Sequence, residues 1–151
     1  MDDLDGTVRL IAGMSFQATA GSGHQLVLDA AEDVGGQNRG PRPLELMLLA
    51  LGGCTGMDVI SILRKMRQEV TAYEVRLRAS RAETHPRVFT AITVEHVVRG
   101  RAVSPEAVRR AVELSATRYC PASAMLGKVA RITEAYRVID ETTGAEATGQ
   151  L

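Results

Sequence analysis

The sequence carries no net charge, because 18 lysines and arginines balance 18 aspartates and glutamates. It therefore lacks the one-sided basic composition that marks nucleic-acid-binding proteins. Long hydrophobic runs are also missing: the most apolar stretch, residues 44–53, is far shorter than the roughly 20 residues that a membrane-spanning helix needs. We expect neither a nucleic-acid partner nor a membrane partner.

Targeting and metal-binding patterns are also absent from the sequence. Its first residues are acidic, whereas a secretory signal begins with a basic stretch, so we expect a cytoplasmic protein. The two cysteines and three histidines have no paired spacing of the kind seen in zinc sites, so we predict no metal. Disulfides in a reducing compartment are usually transient and catalytic, which makes the cysteines either inert core residues or reagents.

The order of predicted elements indicates a single α+β domain over residues 1–151, without repeats or linkers. Short β-branched or alternating segments predict a meander of three antiparallel strands at 7–11, 15–19 and 25–29. A glycine- and proline-rich loop then precedes a long helix, predicted over 43–68 with a proline at its first position. The remaining predictions are strands at 71–79 and 87–99, helices at 104–117 and 121–130, a strand at 133–140 and a frayed tail at 141–151.

Cys54 falls in the middle of the long helix, in a glycine-rich setting. Each of Gly52, Gly53 and Gly56 costs a helix about 0.8–1 kcal/mol relative to alanine. Such weakening indicates close approach of another group to the backbone. That group is either a packed element or a substrate beside the sulfur, and the sequence leaves both interpretations open. Asp58 shares the side of the helix that carries Cys54.

Cys120 has a different setting, directly before Pro121. A proline at the first helical position places Cys120 at the helix cap, where the positive end of the helix dipole stabilises a thiolate. The positive charge of Arg118 would also stabilise the Cys120 thiolate. The alternative is a small hydrophobic residue at a helix entry.

Two segments carry a family resemblance. Residues 40–59, GPRPLELMLLALGGCTGMDV, resemble the central helix of the OsmC/Ohr family, which comprises osmotically inducible and organic hydroperoxide resistance proteins. Residues 118–126, RYCPASAML, resemble its second-cysteine motif, and both motifs are most similar to the OsmC-like branch. The resemblance implies an OsmC-like fold, with antiparallel strands around a long central cysteine-bearing helix. It also implies an intertwined homodimer with active sites at the subunit interface.

The same resemblance implies a thiol-dependent peroxidase acting on organic hydroperoxides. Cys54 would attack the peroxide and become a sulfenic acid, which Cys120 would resolve as a disulfide. An external dithiol, lipoyl-type or small, would restore the thiols, and no cofactor is needed. The alternatives are a redox-sensing or small apolar ligand-binding dimer without efficient turnover, and a structural dimer with inert cysteines.

One departure from the family pattern concerns activation of Cys54. Family members have a glutamate directly after the helix-opening proline and an arginine from the N-terminal strands. Here the glutamate, Glu45, comes one place later, which rotates it by about 100° around the helix. No strand arginine matches, so we predict that Arg39 or Arg42 supplies the activating cation, with Glu45 and Asp58 as further supporting candidates.

Overall fold

The structure is a computed structural model that describes residues 3–151. The chain divides into two compact units, one ending at Met47 and the other covering Leu48–Leu151. Each unit is described by itself, and the single domain over residues 1–151 stays a prediction. The observed mixture of helices with antiparallel and parallel strands confirms the α+β class.

The first unit contains the three-stranded meander expected from the sequence. Its strands pair antiparallel in the order β1, β2, β3, which confirms the prediction. They are β1 (Gly6–Ala12), β2 (Ser15–Ala20) and β3 (Gln25–Leu28). In the loop that follows, the nearly buried carboxylate of Asp29 accepts hydrogen bonds from the backbone amides of Ala30, Gln37 and Arg39. These bonds organise the loop before the long helix.

The long helix, α1 (Pro43–Lys65), begins at the predicted proline. The Glu45 carboxylate accepts the Arg42 backbone N–H at 2.9 Å, which satisfies an amide that the helix itself leaves free. The helix ends before the predicted Gln68, because Arg67 adopts a left-handed backbone conformation (φ 57). By length and composition alone α1 could cross a membrane, but the core helix of a soluble protein passes the same test.

The second unit contains a four-stranded mixed sheet in the order β4, β5, β6, β7. Neighbouring strands are antiparallel except β5 and β6, which are parallel. The strands are β4 (Glu69–Arg81), β5 (Phe89–Arg101), β6 (Arg131–Asp140) and β7 (Glu146–Gln150). The first three confirm the predicted strands. β4 extends beyond both predicted ends, β5 is shifted two residues toward the C-terminus, and β6 begins two residues early.

The last strand corrects one expectation, since the tail at 141–151 is not frayed. The Asp140 carboxylate accepts the backbone amides of Thr142 and Thr143 at 2.8 and 3.1 Å. Gly144 takes a positive φ of 73, which a glycine adopts without strain. This tight turn returns the chain beside β6, where β7 pairs with it.

The helical segment after β5 is divided by a change of helix type. Its parts are α2 (Pro105–Leu114), a π-helical turn (Ser115–Tyr119) and α3 (Pro121–Leu126). The Ser104 hydroxyl caps α2 by accepting the Ala107 amide at 3.2 Å. The predicted helix at 104–117 therefore ends as an α-helix at Leu114, and the one at 121–130 is shorter than predicted.

The core of the second unit lies on one face of this sheet. Alternate strand residues point to the same face, and α1 and α2 cover it with apolar side chains. The cluster consists of Val59, Leu63, Val98, Val103, Val108, Ala111, Val112 and Val138. Two polar residues, His96 and Glu134, are buried on this otherwise apolar face.

Candidate functional site

The glycines around Cys54 have two different roles. A Cβ added at Gly52 would lie 2.5 Å from Leu77 Cδ1, and Gly56 also packs against β4. A Cβ at Gly53 would meet nothing within 4 Å among the residues that the structure describes. Two glycines therefore allow α1 to approach the sheet, while Gly53 lies on the exposed side of α1, next in sequence to the half-buried Cys54.

Cys120 is buried at the start of α3, as its position before Pro121 predicted. Its sulfur accepts the backbone N–H of Ser123 at 3.3 Å. The residue before it completes the π-helical turn, in which the Cys120 amide donates to the Ser115 carbonyl at 2.9 Å. The π-helical turn thus fixes the backbone of Cys120, and the first turn of α3 fixes its sulfur.

The structure brings the two cysteines together. Both are free thiols, and Cys120 lies near enough to Cys54 for its side chain to raise the pKa of the Cys54 thiol. The backbone N–H of Ala122, in the first turn of α3, lowers that pKa by hydrogen bonding to the thiolate form. The helix that begins after Cys120 therefore presents a main-chain donor to the other cysteine.

The surroundings of Cys54 favour its protonated form. Burial raises the pKa of the Cys54 thiol, and the Ala122 amide opposes this by stabilising the thiolate. The hydrogen bond and charge of Cys120 and the charge of Asp58 raise the pKa further, so that the net shift is upward. None of these groups is a cation.

Asp58 belongs to a hydrogen-bond network that links the two cysteine-bearing segments. The Ser115 hydroxyl donates to Asp58 Oδ2 at 2.9 Å and lies 2.8 Å from Thr55 Oγ1. Because Ser115 uses its single proton on Asp58, the Thr55 hydroxyl is the donor to Ser115. Thr55 and Ser115 are completely buried. The network joins α1 to the turn that leads to Cys120.

A cavity of about 430 Å³ opens beside Asp58. Ser61 and Lys65 line it from α1, and Leu114 and Tyr119 line it from the facing segment. Cys54, Asp58 and Ser61 fall on the same side of α1, so this cavity lies along the cysteine face of the helix. Its walls combine apolar surface with one carboxylate and one ammonium group.

The other candidate residues lie in the first unit. The Arg42 guanidinium donates to Asn38 Oδ1 at 2.7 Å and to the Gly40 carbonyl at 3.0 Å. Glu45 caps the start of α1, and the Arg39 backbone amide binds the Asp29 carboxylate. Activation of Cys54 by Arg39 or Arg42, and support from Glu45, stay predictions.

A second buried polar group was missed by the sequence analysis. The Tyr73 hydroxyl lies 2.7 Å from His96 Nδ1, and His96 Nε2 lies 3.0 Å from Glu134 Oε2. The sequence does contain an indication of it, because His96 alternates with Ile92, Val94 and Val98 on the inward face of β5. A polar residue within such a pattern indicates a buried partner.

The described residues contain no cluster of three or more histidine, cysteine, aspartate or glutamate side chains that could hold a metal ion. The chemically distinctive feature of the second unit is therefore its pair of neighbouring free thiols with the adjoining Asp58 network.

Comparison with known proteins identifies the family of this chain. The family model described as OsmC-like protein matches residues 36–135. Protein YhfA of Escherichia coli is 42% identical over 132 residues, which cover 87% of this chain and 96% of the relative. A crystal structure of an Aquifex aeolicus protein superposes with a TM-score of 0.83 at 29% identity, over 93% of this chain and 99% of that one.

A more distant structure shares the fold alone. It is an organic hydroperoxide resistance protein, OsmC, from Legionella pneumophila, with a TM-score of 0.68 at 12% identity over 91% of this chain and 97% of that one. The family model covers most of the chain, including both cysteines, and the α+β architecture matches. The chain belongs to the OsmC-like protein family.

Proposed function

We propose that this protein is a thiol-dependent peroxidase that reduces organic hydroperoxides. The Cys54 thiolate attacks the outer peroxide oxygen, the O–O bond breaks, and the departing alkoxide takes a proton to become the alcohol. Cys120 then attacks the Cys54 sulfenic acid, forming a disulfide and releasing water. A dithiol, small or lipoyl-type, returns both cysteines to thiols and is itself oxidised to a disulfide.

The observation that carries the proposal is the proximity of two free thiols, Cys54 and Cys120. A sulfenic acid on Cys54 would form beside the thiol that must condense with it. Cys54 is half-buried, whereas Cys120 is only 4% exposed. This difference in access supports Cys54 as the peroxide-reacting residue and Cys120 as the resolving residue. The name of the Legionella neighbour indicates the substrate class.

We extend the proposal to a homodimer, because each unit exposes apolar surface. Along α1, Leu49 and Met57 are 58% and 74% exposed and flank the exposed Gly53 at helical spacing. In the first unit, Leu10 and Ile11 of β1 are each 56% exposed. A second copy of the chain would cover such surfaces and provides a route for Arg39 or Arg42 to reach Cys54. The cytoplasm supplies the reducing conditions that the cycle needs.

The direct test is peroxide consumption by cysteine variants. With tert-butyl hydroperoxide and dithiothreitol, the unaltered protein should turn over repeatedly. Cys54→Ser should consume none, and Cys120→Ser should react once and then hold a sulfenic acid detectable by dimedone labelling. Equal residual turnover in the two variants would contradict the assigned roles.

One observation favours a second function, a redox sensor that reacts once per signal. Burial and the charge of Asp58 raise the pKa of Cys54, which lowers the thiolate fraction at neutral pH. A sensor would form the Cys54–Cys120 disulfide with stoichiometric hydroperoxide but regenerate slowly with dithiols. Measuring the number of turnovers per protein chain separates the two functions.

A further inference from the structure

Two buried oxygen atoms face the same cavity without a hydrogen-bond partner. Glu134 and Ser123 both line a cavity of about 280 Å³ beside α3 and the start of β6. Their side chains are deeply buried, with exposures of 5% and 7%. Among residues 3–151, Glu134 Oε1 and Ser123 Oγ have no hydrogen-bond partner and are not bonded to each other. Because buried polar atoms are nearly always paired, both oxygens present unused hydrogen-bonding capacity to the cavity.

The Glu134 carboxylate also carries a negative charge that its neighbours do not offset. Its second oxygen, Oε2, lies 3.0 Å from His96 Nε2, and the Tyr73 hydroxyl lies 2.7 Å from His96 Nδ1. A carboxylate only accepts, so Nε2 donates to it. The Tyr73 hydroxyl makes no other hydrogen bond within residues 3–151, so its proton is directed at Nδ1. This arrangement assigns the neutral form of the imidazole. Buried carboxylates are seldom left without a positive partner, so Glu134 is suited to bind a cation.

Arg131 does not fill that role, although it lines the same cavity. It comes three residues before Glu134 in β6, and alternation along a strand directs the two side chains to opposite faces of the sheet. Within the described part of the chain, His96 is the only basic side chain paired with the Glu134 carboxylate. Arg131 and Gly127 are exposed. The cavity therefore reaches the surface at these two residues and ends at the buried Ser123 and Glu134.

The walls and the volume of the cavity favour a small molecule with an apolar chain. Ala116, Ala130 and Ile132 add apolar surface beside the two oxygens. The volume is about nine times the share that one water molecule occupies in the liquid, and a buried water makes about three hydrogen bonds. Two oxygens anchor far fewer waters than that. An occupant of several heavy atoms, polar at one end, matches this surface better than water alone.

The polar atoms of the cavity favour an ammonium group over a metal ion. Ca²⁺ and Mg²⁺ take about six or more oxygen ligands, whereas the side chains here offer one carboxylate and one hydroxyl. A primary ammonium carries three N–H donors, so a single nitrogen is able to donate to both oxygens. Its positive charge also offsets that of the carboxylate. An alcohol lacks the charge, and a quaternary ammonium lacks the N–H donors.

We propose that this cavity binds a small primary ammonium compound with a short apolar chain. One N–H group donates to Glu134 Oε1 and another to Ser123 Oγ, while the chain lies against the apolar wall. The site contains neither cysteine. It adjoins Cys120 nevertheless, because the Ser123 backbone N–H donates to the Cys120 sulfur at 3.3 Å. The bound compound would therefore contact a residue that holds this sulfur in place.

The experiment is calorimetric titration of the reduced protein with n-propylammonium chloride. We expect saturable binding of one molecule per chain. Two matched compounds separate the recognised features: 1-propanol has the same chain without the charge, and tetramethylammonium chloride has the charge without N–H donors. Neither should bind measurably. Absence of saturable binding by n-propylammonium would overturn the proposal, and so would equal binding by 1-propanol or by tetramethylammonium.

Three variants test the assigned contacts. Glu134→Gln keeps the shape and removes the charge, so the dissociation constant for n-propylammonium should rise about tenfold or more. Ser123→Ala removes a neutral hydrogen bond and should raise it about threefold to tenfold. Glu74→Gln is the control for the lost charge, because Glu74 is exposed on β4 and pairs with Arg76, and it should leave the constant unchanged. An unchanged constant in Glu134→Gln would contradict the site.

The proposal stays testable if Glu134→Gln fails to fold. Ser123→Ala removes an unpartnered hydroxyl, and the comparison of the three compounds needs only the unaltered protein. Equal affinity in Ser123→Ala and the unaltered protein would then overturn the assigned contact. The titration involves no peroxide and no turnover, so its outcome is independent of the proposed peroxidase activity.

Discussion

The Ser115 hydroxyl donates a hydrogen bond of 2.9 Å to the Asp58 carboxylate, between two segments that are far apart in the sequence. Ser115 begins the π-helical turn before Cys120, and Asp58 follows Cys54 on α1. The relative position of the two cysteine-bearing segments therefore depends on a hydrogen bond that involves neither cysteine.

Ser115→Ala should destabilise the protein and slow formation of the Cys54–Cys120 disulfide. The change leaves the buried Thr55 hydroxyl without its acceptor and Asp58 without a donor, which costs about 1–3 kcal/mol. Urea denaturation and thiol counting after one equivalent of hydroperoxide measure the two effects. Ser80→Ala, which removes an exposed hydroxyl from β4, is the control and should change neither.

Asp58→Asn should make Cys54 more reactive at neutral pH. The Asp58 charge disfavours the thiolate, so its removal lowers the pKa of Cys54 towards the ordinary value. The amide oxygen of asparagine can still accept the Ser115 hydroxyl, which preserves the network. The pH dependence of iodoacetamide alkylation gives the pKa directly. Glu113→Gln on α2, which replaces a half-buried carboxylate paired with Arg109 and Arg110, should have no effect on the Cys54 pKa. An unchanged or higher Cys54 pKa in Asp58→Asn would refute the assignment.

Tyr73→Phe should cost about 1–3 kcal/mol of unfolding free energy, because it leaves His96 Nδ1 buried without a donor. Tyr136→Phe offers a matched comparison. Tyr136 packs against the same core cluster and makes no hydrogen bond through its hydroxyl within the described part of the chain. Loss of the Tyr136 hydroxyl should leave the free energy of unfolding almost unchanged. Similar destabilisation by both variants would show that the Tyr73 hydrogen bond contributes little.

Met57→Lys should convert the proposed homodimer into monomers. A lysine in the middle of the exposed apolar stripe of α1 would have to be buried unpaired in an interface between two copies. Sedimentation velocity measures the assembly state. Met125→Lys introduces the same charge at a methionine of similar exposure, 67%, on α3, and should leave the assembly intact. A monomeric unaltered protein would reject the dimer itself.

The local elements were predictable because each has a strong local signal. Proline and a capping carboxylate mark the start of α1, and alternation marks β4 and β5. The strand β7 was missed because its turn depends on the Asp140 side chain and on Gly144, and the strand itself is short and polar. Both cysteines could be singled out from their neighbours in sequence.

The polar networks could not be predicted in the same way, because their partners are brought together only by the tertiary fold. Ser115 resembles any helical serine until the π-helical turn points it at Asp58. The Tyr73–His96 contact joins β4 to β5, and the contact with Glu134 requires the parallel pairing of β5 with β6. Nothing in the local sequence specifies that a strand after two intervening helices returns to this neighbour.

The π-helical turn has a consequence for the spacing of the chain. The Cys120 amide reaches back five residues to the Ser115 carbonyl, one residue more than an ordinary α-helical turn spans. The position of Cys120 beside Cys54 is thus set by the number of residues in this turn as much as by their identity. A single-codon insertion there would exceed the span of any regular helical turn and separate two cysteines that are both still present.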